Sequence, residues 1–405
     1  MIRHRSRRRG VPRGLQSMTT TVQVTGLATM LALMVSVSPV AAQKKDDKTA
    51  APVDGRQQAI DSLVSAVNEA MKAPAGTVVY TADAASRTVT VDPAATAPMT
   101  LNIDYLKASD NKIYAPFTVT VPAGALGPGA NLGVFVRLAA RGAQPPAAQP
   151  AAVVEDPRKK KDDKKKKGKE AQDLASQAVS GVEYPWEDYY ELVAAPRAPG
   201  GPLSFSRPFS VVTGDYDAYI ALVSREPAAT PGPLKIAVHK AEITVPNYWG
   251  SDFGVSSVFV ANKVTELTEV PVGDAQKLKP YVIGNLEISP VFDGKFAAAD
   301  ELSVFFIIYN AAVGEDKKPD VVIEFQPYKK GAVGETKFRG VAPQKLNAET
   351  LPASFDIAQG HQLVGSLNVP ISAFEAGDYR LNIKVTDNKS GKSLTHDVAF
   401  TVTGS

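Results

Sequence analysis

Alternation of apolar and polar side chains is the main pattern along the chain, and it is clearest near the C-terminus. Tyr379, Leu381, Ile383 and Val385 fall on one face of a strand, with Arg380, Asn382, Lys384 and Thr386 on the other. After Asp387-Asn388-Lys389-Ser390-Gly391, a run with turn chemistry, Leu394, His396, Val398, Phe400 and Val402 repeat the alternation. The pattern predicts a hairpin with one buried face. Short β-favouring runs also cover residues 77–80, 87–91, 100–105, 114–121, 131–138, 203–212 and 214–223, then 234–238, 256–261, 281–288, 302–309, 321–328, 335–341 and 362–369. Their separation by Pro, Gly, Asp and Asn predicts antiparallel sandwiches rather than a parallel sheet. Residues 302–309, Leu-Ser-Val-Phe-Phe-Ile-Ile-Tyr, are almost continuously apolar, as a central strand covered on both faces would be.

The period changes to helical once. Ile60, Leu63, Val64, Val67 and Met71 recur at helical spacing after a capping-box start at Asp54-Gly55-Arg56-Gln57, and Pro74 and Gly76 end the pattern. An amphipathic helix over 54–75, packed against its own β domain, is expected. A second long-range pattern is an internal repeat. Gly214-Asp215-Tyr216 and Gly377-Asp378-Tyr379 each open an alternating strand a few residues after a Phe, Phe209 or Phe374, and lie 163 residues apart. The expected fold is therefore all-β. It has two immunoglobulin-like antiparallel β-sandwich domains, with a short N-terminal helix and disordered Lys-rich segments. The first sandwich is placed at 76–226 and the second at 234–405, joined by a stiff linker over 227–233 that contains Thr230-Pro231-Gly232-Pro233.

Composition changes the picture at the ends and in one loop. Arg3, Arg5, Arg7, Arg8, Arg9 and Arg13 precede an apolar stretch from Val22 to Val37, and Val40-Ala41-Ala42 supplies a cleavage site before Gln43. Residues 1–42 read as an export signal, which places the protein in the periplasm, at the cell surface or outside the cell, with no transmembrane span after cleavage. Ser6-Arg7-Arg8 hints at twin-arginine export, but Gly10 and Val11 stand where an apolar pair is usual. The sequence holds no cysteine, which excludes disulfides, thiolate metal ligands and a cysteine nucleophile within it. Residues 43–53 read as a polar leash and 141–181 as a long disordered basic loop within the first sandwich. Removing a leader with six arginines and no acid turns the formal charge of +3 into −3. The loop run from Arg158 to Lys169 carries nine basic and two acidic residues, so the remainder stands at −10. An acidic folded part argues against specific nucleic-acid recognition. Arg158, Lys159, Lys160, Lys161, Lys164, Lys165, Lys166, Lys167 and Lys169 form a candidate tether for an anionic polymer, although no aromatic residue is interleaved with them.

Tyr281-Val282-Ile283-Gly284-Asn285-Leu286, the strand Phe305-Phe306-Ile307-Ile308-Tyr309-Asn310 and the Gly377-Asp378-Tyr379 hairpin ending in Val398-Ala399-Phe400-Thr401-Val402 carry a family likeness over residues 76–403. The chain resembles the C-terminal β-rich region of bacterial secreted proteins related to von Willebrand factor A. The resemblance implies an immunoglobulin-like sandwich pair outside the cytoplasm. It does not extend to the A domain, because no Asp-x-Ser-x-Ser motif is present; Asp61-Ser62-Leu63-Val64-Ser65 has the wrong spacing.

Catalytic patterns are weak. Gly254-Val255-Ser256-Ser257-Val258 lacks the second glycine of a nucleophile elbow. Gly127-Pro128-Gly129 and Gly391-Lys392-Ser393 sit at strand turns rather than at helix starts. His239, His361 and His396 are isolated from one another and read as packed, hydrogen-bonded residues. Asp215 and Asp217 share a strand face but lack the other oxygen ligands of a calcium loop. No cofactor is implied. The strongest candidates are aromatic: Tyr184, Trp186, Tyr189 and Tyr190 beside Glu187 and Asp188, and a second cluster at Tyr248 and Trp249. Exposed, they would form a platform for sugar rings or a partner protein; as strand residues they would be core. The reading that follows is an exported, non-enzymatic protein for protein interaction or envelope architecture, with an unidentified protein or envelope glycan as partner. The alternative is a carbohydrate-binding module.

Overall fold

The computed structural model describes residues 55–83, 88–92, 98–122, 131–145, 183–193, 201–224 and 233–404. The expected leader, leash, Lys-rich tether and residues 227–232 of the expected linker lie outside the described residues. So does Asp54.

Among the described residues the first sandwich is built from β1 (Gly76–Asp83), β2 (Thr88–Val91), β3 (Thr100–Ile103), β4 (Leu106–Lys107), β5 (Lys112–Val121), β6 (Asn131–Ala140), β7 (Trp186–Val193), β8 (Leu203–Val212), β9 (Gly214–Ser224) and β10 (Leu234–Val245). One sheet runs β2-β1-β10-β9-β6-β7. Opposite it, β5 is flanked by β3 and β4 on one side and β8 on the other. The second sandwich is built from β11 (Gly254–Val255), β12 (Phe259–Glu266), β13 (Val282–Ile283), β14 (Leu286–Pro290), β15 (Lys295–Phe296), β16 (Glu301–Tyr309), β17 (Val321–Gly331), β18 (Gly334–Lys337), β19 (Gln344–Leu346), β20 (Leu363–Pro370), β21 (Gly377–Asp387) and β22 (Lys392–Val402). Here the orders β12-β16-β20 and β22-β21-β17 oppose each other, and β15 lies parallel to β22. The same two orders recur in the first sandwich as β3-β5-β8 against β10-β9-β6. Both follow the A-B-E against G-F-C arrangement of an immunoglobulin-type sandwich.

That correspondence corrects one expected boundary. Leu234–Val245 does not begin the second sandwich; β10 pairs with β1 on one side and β9 on the other, in the middle of the first sheet. It is the counterpart of β22, which follows the Gly-Asp-Tyr strand of the second sandwich by a hairpin. The division between the two sandwiches falls at the short 246–253 connection.

The alternating patterns sort as a sandwich requires. Leu132, Val134, Val136 and Leu138 of β6 pack on Ile113, Phe117, Val119 and Phe209 between the sheets. On the other face of the same sheet, Leu63, Ala66 and Val67 of helix α1 (Gly55–Ala70), with Met71 just past its end, cover Tyr80, Phe135, Tyr219 and Val238. The expected docking of the helix on its own β domain is therefore realised. In β16, Val304, Phe306 and Ile308 face the core of the second sandwich, whereas Phe305, Ile307 and Tyr309 face outward. That outward face is not wet. It packs with Phe259, Tyr281 and Ile288 against Leu106 and Tyr114 of the first sandwich.

Polar groups lock this junction. Tyr105 donates its N–H to Ser257 Oγ at 2.8 Å and accepts from Ser257 N at 3.0 Å. Lys107 N–H reaches the Tyr309 hydroxyl at 3.0 Å, and the Tyr114 hydroxyl donates to Pro280 O at 2.9 Å. Burial pushes the Asp104 carboxyl up to about 6, against hydrogen bonds from Tyr281 and Ser257 that favour its ionised form.

Candidate functional site

The aromatic run on β7 is divided between two cores instead of forming a platform. Trp186, Tyr190 and Leu192 point between the sheets, while Tyr184 and Tyr189 pack on the helix-covered face. Trp186 is 4% exposed and Tyr189 9%. A sugar ring has no stacking surface on either, so of the two readings of the 184–190 cluster the residues take the core one. β7 pairs with β6, whose sheet is covered on both sides, and both phases of its alternation are consequently buried. In the second cluster, Tyr248 packs on Tyr309 with ring centroids 4.8 Å apart. Trp249 alone stays open, at 39% exposure, with its indole N–H donated to Lys112 O and Lys107 Nζ 4.2 Å from its ring centroid.

Charges beneath helix α1 are structural. Arg137, 0% exposed, donates Nε–H to Glu187 Oε1 at 2.9 Å and Nη1–H to Asn68 Oδ1 at 2.7 Å, with Tyr184 over its guanidinium. Asp217 is buried as well, 3.6 Å from Lys240 Nζ, which itself donates to Ala73 O at 2.9 Å. Asp215 accepts from Thr244 Oγ1 at 2.6 Å. The two aspartates are thus tied separately into the first sheet, Asp215 with its side chain 56% exposed and Asp217 buried. The histidines also serve local structure: His239 Nδ1 lies 2.8 Å from Thr77 Oγ1, and His361 Nδ1 accepts from Asp356 N at 2.9 Å. His396 is on the inward phase as expected, but its buried Nε2 has no hydrogen-bond partner among the described residues.

The chemically distinctive place is a cleft of about 280 Å³ where β7, β8 and the short helix α2 (Asp274–Leu278) meet. On β8, Leu203, Phe205, Phe209 and Val211 face the core, and Arg207 holds the position between them. On β7, Asp188 stands between Trp186 and Tyr190 in the same way. The Arg207 guanidinium lies 5.0 Å from the Tyr190 ring centroid and donates Nη1–H to Ser206 O at 2.8 Å. Among the described residues Asp188 Oδ1 accepts only from the adjacent Tyr189 N, at 2.8 Å. Burial raises the Asp188 carboxyl above its usual range, opposed by that N–H and by the charges of Lys277 and Arg207. Burial likewise lowers Arg207, opposed by Tyr190 and Asp188. Asp188 was visible in the sequence beside the aromatics. Arg207 was missed, although a charge in the apolar phase of Leu-x-Phe-x-Arg-x-Phe-x-Val is a readable irregularity.

No family model and no curated protein matches the chain. Among solved structures it is similar to Salmonella alpha-2-macroglobulin reacted with methylamine, at 14% identity and a TM-score of 0.19, covering 82% of this chain and 18% of that one. It is similar also to native E. coli alpha-2-macroglobulin, at 13% identity and a TM-score of 0.18, covering 81% and 20%. The chain thus spans about a fifth of the length of these proteins, and superpositions at that level carry no argument about function.

Proposed function

We propose that this is an exported, non-enzymatic protein whose two sandwiches form one stiff body for protein interaction or for cell-envelope architecture. The observation that carries the reading is the junction. The outer face of the β16 sheet is spent on holding the first sandwich through Phe259, Tyr281, Phe305 and Tyr309, and backbone groups of Tyr105 and Lys107 are bonded across it. Such a joint keeps two binding surfaces at a set spacing, which suits a scaffold better than a hinged enzyme. Several buried polar groups support the same reading, because they are committed to structure. Ser256 Oγ accepts from Ile307 N at 2.9 Å, and Asp387 Oδ2 accepts from Ala312 N at 3.0 Å and Ser390 Oγ at 2.6 Å. The resemblance to secreted relatives of von Willebrand factor A agrees with an extracytoplasmic interaction role, and the basic run at 158–169 would add contact with an anionic polymer.

Crosslinking in intact cells followed by affinity capture of this chain is the test. Recovery from the envelope fraction with residues 1–42 removed and a reproducible crosslinked protein is expected. Recovery from the cytosol with the N-terminus intact would overturn the proposal. The carbohydrate reading now rests on Trp249, since Trp186 is enclosed.

A further inference from the structure

Arg207 and Asp188 come from opposite sheets of the first sandwich, each in a phase where its neighbours are core. Opposite charges so placed ordinarily close on one another, because a half-buried ion without a partner forfeits solvation with nothing in return. These two do not close: no ion pair within 4.0 Å joins them, and Arg207 has none with any described residue. Most of the five guanidinium N–H donors of Arg207 are left for something else, since its one side-chain hydrogen bond goes to the neighbouring Ser206 O. Tyr190 lines the same cleft, and its buried hydroxyl also has no hydrogen-bond partner among the described residues. The gap between the charges is therefore shaped as a receptor with one cationic wall and one anionic wall.

The remaining lining is mixed: Asp274 and Lys277 of helix α2 pair with each other at 3.1 Å, and the rest is mostly apolar. Trp186, Pro208 and Leu278 close the cleft, and Leu278 reaches it from the second sandwich on helix α2, 61% exposed at the mouth. A volume of about 280 Å³ lies just below the usual range of ligand clefts, roughly 300 to 1,000 Å³, and so suits only a small ligand. A further cleft at the junction, about 350 Å³, has its carboxylates engaged, Asp104 with Tyr281 and Ser257. Its Asp397 is bonded to Arg380 and Asn382, and its Asp293 to Lys295 N. We propose that the β7–β8 cleft binds a small zwitterion the size of an α-amino acid, with the ligand carboxylate on Arg207, its ammonium on Asp188 and an apolar side chain against Leu278. This goes beyond the scaffold role and does not depend on it.

The test is calorimetric titration of the purified full chain with L-leucine, N-acetyl-L-leucine and L-leucinamide at millimolar concentration. L-leucine is expected to bind saturably, and each derivative, lacking one charge, at least about tenfold more weakly, as loss of one charge-assisted contact implies. Arg207→Gln should abolish the advantage of L-leucine over L-leucinamide. Because Arg207 is half-buried, Leu278→Glu serves as the variant with least risk to folding: it sets a carboxylate at the mouth and should weaken L-leucine binding at least about tenfold. Absence of saturable heat with L-leucine, equal or tighter binding of either derivative, or unchanged binding in folded Leu278→Glu would each overturn the proposal.

Discussion

At the scale of single residues, the consequential side chains are charges placed where the chain has little water to offer them. Asp104 at the junction is pushed up to about 6 by burial, whereas an unfolded aspartate titrates near 3.8. The folded state therefore holds the proton more tightly than the unfolded state. The contribution of this group to stability is greatest below about pH 4 and is lost as pH rises through about 6, a change on the order of 3 kcal/mol. Asp104→Asn should flatten the pH dependence of urea unfolding between pH 4 and 7 and be no less stable than the parent at pH 7.5. A steeper dependence in the variant would show that another group governs this range. Arg137 and Glu187 present the opposite case of a buried pair that is closed. Glu187→Ala leaves the Arg137 guanidinium uncompensated at 0% exposure and should cost about 3–5 kcal/mol, measured by denaturant unfolding. The aromatic residues around them teach a related lesson. Trp186 and Tyr190 look like a recognition surface in the sequence, and the same residues look like core once β7 is seen to pair with β6.

At the scale of elements, the Gly-Asp-Tyr repeat acquires a physical meaning. Tyr216 donates its hydroxyl to Val212 O at 3.0 Å, and Tyr379 to Glu375 O at 2.9 Å, each reaching back four residues across the turn into its strand. Both are the tyrosine corner of an immunoglobulin-type sandwich, which pins the approach to the F strand. The glycines before them have φ of 157° and 143°, backbone values that favour glycine. Tyr216→Phe and Tyr379→Phe should each cost about 1 kcal/mol in chemical denaturation while leaving the circular dichroism unchanged. A second element-level device is Gly365 of β20, which lies opposite Phe306 of β16. A Cβ there would sit 2.3 Å from the Phe306 ring, so Gly365→Ala should destabilise by about 1–3 kcal/mol through overpacking, and Phe306→Leu should recover part of the loss in the double variant. The repeat also held the boundary that a linker-based reading missed. Since Gly377–Asp387 is followed by β22 within its own sandwich, Gly214–Ser224 must be followed by its own closing strand, which is β10.

At the scale of the whole molecule, the described residues from 55 to 404 belong to one compact unit. The two sandwiches share the cluster of Leu106, Phe259, Tyr281, Phe305, Ile307 and Tyr309. A fragment beginning at residue 247 would bare the sandwich-facing side of β12 and β16. It is expected to bind a hydrophobic dye that the intact chain excludes; a fragment as dye-silent as the intact chain would mean that this face is not a required contact. Helix α2 ties the same junction to the ligand cleft, because Lys277 and Leu278 come from the second sandwich while Asp188 and Arg207 come from the first. A zwitterion held there would touch both modules at once.

The sequence by itself determined the class of the fold, the helix, the hairpin and the doubly covered strand at 302–309. Each is written in a local period, two for a strand and about 3.6 for a helix, and a period survives without knowledge of partners. It also carried the repeat and the irregular charges at Asp188 and Arg207. Only the tertiary structure decided which sheet received Leu234–Val245, whether Trp186 was wall or surface, and that Asp188 and Arg207 face each other. Those outcomes depend on contacts between segments far apart in the chain, where the same alternating strand is buried on one face or on both according to what is laid against it.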